Sequence, residues 1–346
     1  MALAPNGRMT FFRFDELVEL VLTVFTSNGC SDEIARHLAI NCVSAERDAA
    51  HSHGLFRLRG YVSSLRSGWV DGKAIPILED AGAGILRVDA MNGFTVPALA
   101  AGREALLDKV SRNGVAIIAI RNSHHLGALS LDVEPFAADG LLAISVINSM
   151  KSVVPPGGKK AVYGTNPIAY AIPRLNAAPL VVDQATSSRA HGDVQIAARD
   201  GEELEPGVGV DRDGQPTTDP RKVLDGGALL PFGGYKGAAM SMLVEVLCAA
   251  LVGGKFSYEV DLSRHPGAAT PHTGQFILLI DPEKGRGELP HFVDRIEELI
   301  ATLQYAGQDR FPGDRRLASR ESAARQGIPL SLEQLAMIKE LRLAGF

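Results

Sequence analysis

In "FDELVELVLTVF" apolar residues recur at i, i+3 and i+4 and stop at Asn28-Gly29, a spacing that predicts an amphipathic helix. Ser31-Asp32-Glu33 can cap a second helix, and residues 12 to 70 read as an all-α opening. Another helix is expected from Ala98 to Asn113. The apolar run "GVAIIAI" (114–120) reads as a buried strand that delivers the polar loop "RNSHHLGAL". From there to about residue 284 strands and turns alternate: "LLAISVIN", "GTNPIAYAIP", "APLVVDQAT" and "GQFILLIDP". The Gly-rich "LDGGALLPFGGYKGAAM" leads into a helix over 238–252. Helices return near 290–305 and 331–343, with Ser331 and Gln334 in capping-box positions. No regular strand-helix repeat is present, so the fold class reads as α+β. The expected division is an N-terminal helical lobe (1–120), a sheet domain (121–284) and C-terminal helices (285–346) packing on the first lobe.

Composition narrows the class. Hydrophobic residues make up 46% and charged residues 22% of 346, as in an ordinary globular protein able to bury a sizeable core. The net charge of −5 is mixed along the chain, with no basic stripe for nucleic acid and no polybasic segment for a membrane surface. The opening lacks the apolar core of a signal peptide. The longest apolar stretch, "GAAMSMLVEVLCAALVGG", is interrupted by Glu245 and reads as a buried helix. Cys30, Cys42 and Cys248 have neither zinc nor redox spacing, which suits reduced thiols in cytosol.

Candidate chemistry is spread over several stretches. Neither G-x-G-x-x-G nor the P-loop pattern occurs. "GGYKGAAM" puts two glycines before Lys236 at a helix start, where free N–H groups attract anions; a tight turn with a solvated lysine accounts for the same residues. In "FPGDRRLASR", Arg315 or Arg316 could grip a phosphate, or the stretch is a solvated charged loop. His51, His53, His124, His125, His191 and Asp193 include ligand types for zinc. The H-x-H sits in a helical context where i and i+2 do not face each other, and no metal is assigned. Without a metal, His53 suits a proton donor whose tautomer a hydroxyl or carboxylate fixes. Arg57, four residues on, would share its helical face as an anion clamp. The alternative leaves His53 as a cap and Arg57 and Arg59 in solvent.

"HSHGLFR", "NSHHLGAL", "YGTNPIAYAIP", "DQATSSRAHGDV", "LDGGALLPFGGYKGAAMSMLVE" and "RFPGDRR" occur in the order found in the malate/L-lactate dehydrogenase-like oxidoreductases, which bind NAD(P) without a Rossmann fold. The chain resembles that family from about residue 12 to 330. Within it, the chain is most similar to the bacterial reductases of Δ1-piperideine-2-carboxylate and Δ1-pyrroline-2-carboxylate. The resemblance implies a non-Rossmann cofactor domain with a largely antiparallel sheet and a helical lobe built from both termini. It also implies a cytoplasmic homodimer with its active site between lobes. His53 would be the proton donor, tuned by Ser52 and Asp193. Arg57 would clamp the substrate carboxylate, and Thr165, His191 and Gly192 would contact substrate. NADPH, or less favourably NADH, would meet His125, Leu126, Gly127, Ala128 and Leu129, then Asp183, Gln184 and Ala185. Tyr235, Lys236, Arg310, Gly313, Asp314 and Arg315 would complete that set. The implied reaction reduces a small cyclic imine carboxylate to L-pipecolate or L-proline.

The alternative within the fold is a 2-hydroxyacid dehydrogenase of malate, lactate or ureidoglycolate type. Outside it stand a metal-dependent hydrolase and a nucleotide-binding relative without catalysis. Three positions depart from the comparison: arginines follow Asp314 after the Pro-Gly turn, position 184 is Gln, and position 126 is Leu where an aromatic is frequent.

Overall fold

Leu17, Val18, Val21, Val24 and Phe25 form the buried stripe of the helix Phe14–Ser27, as the spacing requires. This computed structural model describes residues 9–343; residues 1–8, part of the stretch read for a leader, lie outside it. Ser31 accepts a bond from the Ile34 N–H at 3.4 Å and starts the second helix, Asp32–Arg47. Helix Leu58–Arg66 packs on the first helix through Tyr61, whose ring meets Phe25 and also Phe94 edge-on at 5.7 and 5.5 Å. The same apolar cluster contains Ile328, Leu330, Ile338 and Leu341 from the far end of the chain. There, strand Ile328–Leu330 pairs antiparallel with Thr10–Phe12. The helix Leu332–Leu343 opens on the expected capping box: the Ser331 N–H donates to Gln334 Oε1 at 2.9 Å, and the Gln334 N–H to Ser331 Oγ at 3.1 Å.

A mixed seven-stranded sheet forms the centre, in the spatial order Ile77–Asp80, Ile85–Phe94, Val115–His124, His272–Ile280, Leu142–Ile147, Ile168–Ile172, Leu180–Gln184. Ile85–Phe94 runs parallel to Val115–His124 with helix Thr95–Asn113 as the crossover, and the other neighbours pair antiparallel. Residue 120, the expected lobe boundary, lies within Val115–His124. The sheet already begins at Ile77. The helix expected over 238–252 starts earlier, as Tyr235–Glu245, and continues into a wider π turn over Val246–Leu251. Its Glu245 is buried and accepts from Asn166 Nδ2 at 2.8 Å and the Ser257 N–H at 3.0 Å. The arginine stretch, for which a phosphate grip and a solvated charged loop were both open, is helical from Asp314, in Asp314–Gln326.

That last helix is locked in place by Arg320. Its guanidinium bonds both oxygens of Asp48 at 2.8 and 2.6 Å, and also Glu134 at 2.6 Å. Asp48 is almost wholly buried, so losing the arginine would strand a charge. Arg320→Met is expected to destabilise the protein by about 2–3 kcal/mol. A thermal melt should show the apparent Tm lowered by roughly 5–10 °C; an unchanged Tm would mean that the contact is worth no more than a surface ion pair.

Candidate active site

A cavity of about 1460 Å³ opens between the helical layer and the sheet, and both histidine stretches face it. The expected single helix carrying His53 and Arg57 on one face is not formed. The chain makes two short 3-10 turns, His51–His53 and Leu55–Arg57, broken at Gly54. Glu46, buried at the end of its helix, holds this break by accepting the Leu55 N–H at 2.9 Å. His53 and Arg57 line the cavity all the same, with Ser52, Thr165, His191 and Asp193.

Ser52 Oγ lies 3.1 Å from His53 Nδ1, so the serine fixes that nitrogen and leaves Nε2 for a ligand. Burial, then the nearby charges of Arg57 and His125, pulls His53 down to about 3. Burial with Arg57 likewise lowers His191 to about 4. Arg57 is itself held below the ordinary guanidinium value, by burial above all, with Asp193 among the groups favouring its charge. Its Nη1 reaches Gln195 Oε1 at 3.3 Å, and its Nε is buried with no partner among the described residues. Asp193 makes no hydrogen bond to Ser52 or His53 among the described residues, and its negative charge bears on Arg57 instead. Gly192 lies directly beneath the guanidinium, where a Cβ would collide with Nη2. Gly192→Ala should therefore displace Arg57 and raise KM about tenfold with little change in kcat, which steady-state kinetics would read.

Thr165 is set by its backbone: the N–H and hydroxyl of Thr186 donate to its carbonyl at 2.9 and 3.0 Å. On the other side, His125, Leu126, Gly127 and Ala128 line the cavity, while Leu129 points into the sheet core. The Leu126 N–H donates to the Tyr61 hydroxyl at 3.1 Å. Gly127 touches Asn41, whose Oδ1 would meet any Cβ there. Asp183, Gln184 and Ala185 follow along the wall, and the Ser130 N–H donates to Asp183 at 2.8 Å. Arg310, Gly313 and Arg315 close the far end. Asp314 turns away, accepting the Phe311 N–H at 2.7 Å. Tyr235 and Lys236 lie outside this cavity. They start a helix just after Phe232, which lines a smaller hollow continuous with Asp183–Ala185.

Buried polar atoms are normally satisfied, yet Arg57 Nε, both His125 ring nitrogens and Asn41 Oδ1 have no partner among the described residues. His125 Nε2 stands 3.8 Å from Asp132, a carboxyl that burial pushes up to about 7, while burial lowers His125 to about 4. These orphans, with Gly127 lining the cavity beside them, fit a bound anion next to a flat polar ring such as a nicotinamide amide. Among the described residues no three His, Cys, Asp or Glu side chains cluster as metal ligands. Arg316, the alternative to Arg315 as a phosphate grip, lines the cavity too, as does Gln195, while Asn41 touches Gly127; neither Gln195 nor Asn41 was singled out from the sequence. Asn41 alone had a legible signal, as a polar residue on the buried stripe of its helix.

The malate/L-lactate dehydrogenase family matches residues 12–339, and the chain belongs to that family. Over 328 residues it is 56% identical to the Delta(1)-pyrroline-2-carboxylate/Delta(1)-piperideine-2-carboxylate reductase of Pseudomonas syringae pv. tomato, covering 95% of both chains. The reductase of the same name from Pseudomonas putida is also 56% identical, over 95% of this chain and 96% of that one. The crystal structure of the P. syringae delta1-piperideine-2-carboxylate reductase superposes with a TM-score of 0.93 over 96% of this chain and 99% of that chain. The sulfolactate dehydrogenase of Methanocaldococcus jannaschii, 26% identical, superposes with a TM-score of 0.83 over 96% of each chain.

Proposed function

We propose that the protein is an oxidoreductase that reduces Δ1-piperideine-2-carboxylate to L-pipecolate and Δ1-pyrroline-2-carboxylate to L-proline, using NADPH. The observation that carries this is Arg57, whose buried Nε has no partner among the described residues and whose side chain lines the same cavity as the Ser52–His53 pair. The identity to reductases of these two imines supports it. NADPH supplies the hydride. Arg57 pairs with the ring carboxylate and so fixes which face of the C=N carbon is presented. His53 gives a proton from Nε2 to the imine nitrogen, with Ser52 holding the tautomer. Thr165, His191 and Gly192 complete the substrate side, and Asp193 keeps Arg57 charged.

The free site is hostile to a charged His53, since burial and Arg57 both disfavour it. A bound carboxylate offsets Arg57, so substrate binding should raise the affinity of His53 for a proton. An unreactive ring carboxylate, picolinate, should therefore bind with proton uptake, and its affinity should fall as pH rises. Calorimetry in buffers of different ionisation enthalpy would measure this; binding without proton exchange would remove His53 as the group that charges.

NADPH is favoured over NADH by Arg310 and Arg315 at the far end of the cavity, with Tyr235 and Lys236 beside the smaller hollow. A homodimer is part of the same reading: Tyr235, Met242, Leu243, Val246 and Leu251 expose an apolar stripe. So is a helical lobe made from both ends of the chain around the sheet, supported by their shared apolar cluster. We place the enzyme in the cytoplasm, in keeping with three free cysteines. The deciding assay follows the absorbance of NADPH with both imines, pyruvate and oxaloacetate. Turnover of the imines alone is expected; reduction of the keto acids instead would make it a 2-hydroxyacid dehydrogenase.

A further inference from the structure

His51, one residue before Ser52, belongs to neither the proposed proton donor nor the carboxylate clamp. Its Nδ1 lies 2.7 Å from Glu46 Oε1, and that carboxylate is almost fully buried while the imidazole is largely exposed. Glu46 is committed on all sides, since it also accepts the Leu55 N–H at 2.9 Å and the Gln334 amide at 3.2 Å. A carboxylate accepts only, so Nδ1 is the protonated nitrogen, and Nε2 makes no hydrogen bond among the described residues. The ring lines the cavity where Arg315 also does, near enough for the Arg315 charge to act on it.

The charges around it leave that part of the cavity net positive. Asp48 is held by Arg320 and by Arg47 at 2.7 Å, and Glu134 by Arg320. Asp314 is turned back on the Phe311 N–H. Arg310 and Arg315 have no carboxylate partner within salt-bridge distance among the described residues. Glu46 raises the proton affinity of His51 above the ordinary imidazole value, while burial and Arg315 work against it. Two cations from separate elements, one of them an imidazolium with a free N–H, make a site for a phosphate dianion.

We propose that His51 selects the cofactor: anchored by Glu46, its charged ring joins Arg315 in binding the 2′-phosphate of the dinucleotide. The inference rests on the NADPH reading above. Because the charged ring is the binding form, affinity for NADPH falls as pH rises and His51 loses its proton. The phosphate itself titrates near pH 6, so above about pH 6.5 the change belongs to the protein. His51→Gln removes the charge, and His51→Lys keeps a charge that does not titrate in this range.

The test is calorimetric titration of wild type, H51Q and H51K with NADPH, NADH, adenosine 2′,5′-bisphosphate and AMP from about pH 6.5 to 9. H51Q is expected to bind NADPH and the bisphosphate about tenfold more weakly, with NADH and AMP unchanged, and to lose the wild-type pH dependence. H51K should bind NADPH tightly with a flat profile, and it carries the test if H51Q does not fold. Equal weakening towards NADPH and NADH, or no change in H51Q, overturns the assignment of His51 alone. Wild-type protein that binds neither dinucleotide overturns the NADPH reading itself.

Discussion

His53→Ala is expected to lower kcat for imine reduction by about 10³-fold while changing the affinity for NADPH little. A positioned general acid contributes roughly 10²–10⁴ to a rate, and this site offers few substitutes. His125 and His191 also line the cavity, but among the described residues neither has a side-chain hydrogen bond that fixes its tautomer as Ser52 does for His53. Ser52→Ala leaves the ring in place and frees only its Nδ1, so its loss should be smaller, about tenfold. Steady-state kinetics on either imine decides the matter, with a solvent exchange test showing whether proton delivery has become limiting. A His53→Ala enzyme within tenfold of wild type would mean that the substrate arrives already protonated and that the histidine only lines the wall.

The second large effect belongs to Arg57. Replacing it with Met should cut kcat/KM for the imine by about 10²–10³, the worth of a desolvated charge-assisted contact to a carboxylate. Arg57→Lys should recover only part of this, because an ammonium has no planar fork for two carboxylate oxygens. The same substitution is expected to stabilise the unliganded protein. Among the described residues the half-buried Arg57 side chain makes one long hydrogen bond, to Gln195, its buried Nε has no partner, and burial holds down its proton affinity. An apolar chain of similar length removes that desolvation cost, so the Tm of Arg57→Met should rise by a few degrees as activity collapses. Parallel loss of both would show that the guanidinium is structurally satisfied by contacts within the protein.

How much of this was legible depended on where the signal resides. The amphipathic helices Phe14–Ser27 and Asp32–Arg47 follow from local periodicity, and the Ser331–Gln334 cap from four residues of sequence. Strand Ile77–Asp80 was missed because all four residues are exposed at the sheet edge and show no alternation. Ile85–Phe94 does alternate, but Met91 and Asn92 take left-handed backbone and shift its register. At the site, His53 and Arg57 were paired by assuming one continuous helix, and the glycine break brings them to one cavity by a different route. Gln195 acts through a tertiary neighbour far along the chain, which no local spacing records.

The pairing of Thr10–Phe12 with Ile328–Leu330 has a consequence for how the protein is made. The first two helices leave the ribosome early, but the apolar cluster they belong to stays open until Ile338 and Leu341 have been synthesised. At about 5–20 residues per second, the amphipathic N-terminal helices wait roughly 15–60 s with part of their apolar face unpartnered. The interval is one in which a holding chaperone has a target. Expression yield should therefore respond more to truncation after residue 327 than to loss of the same length from a surface loop.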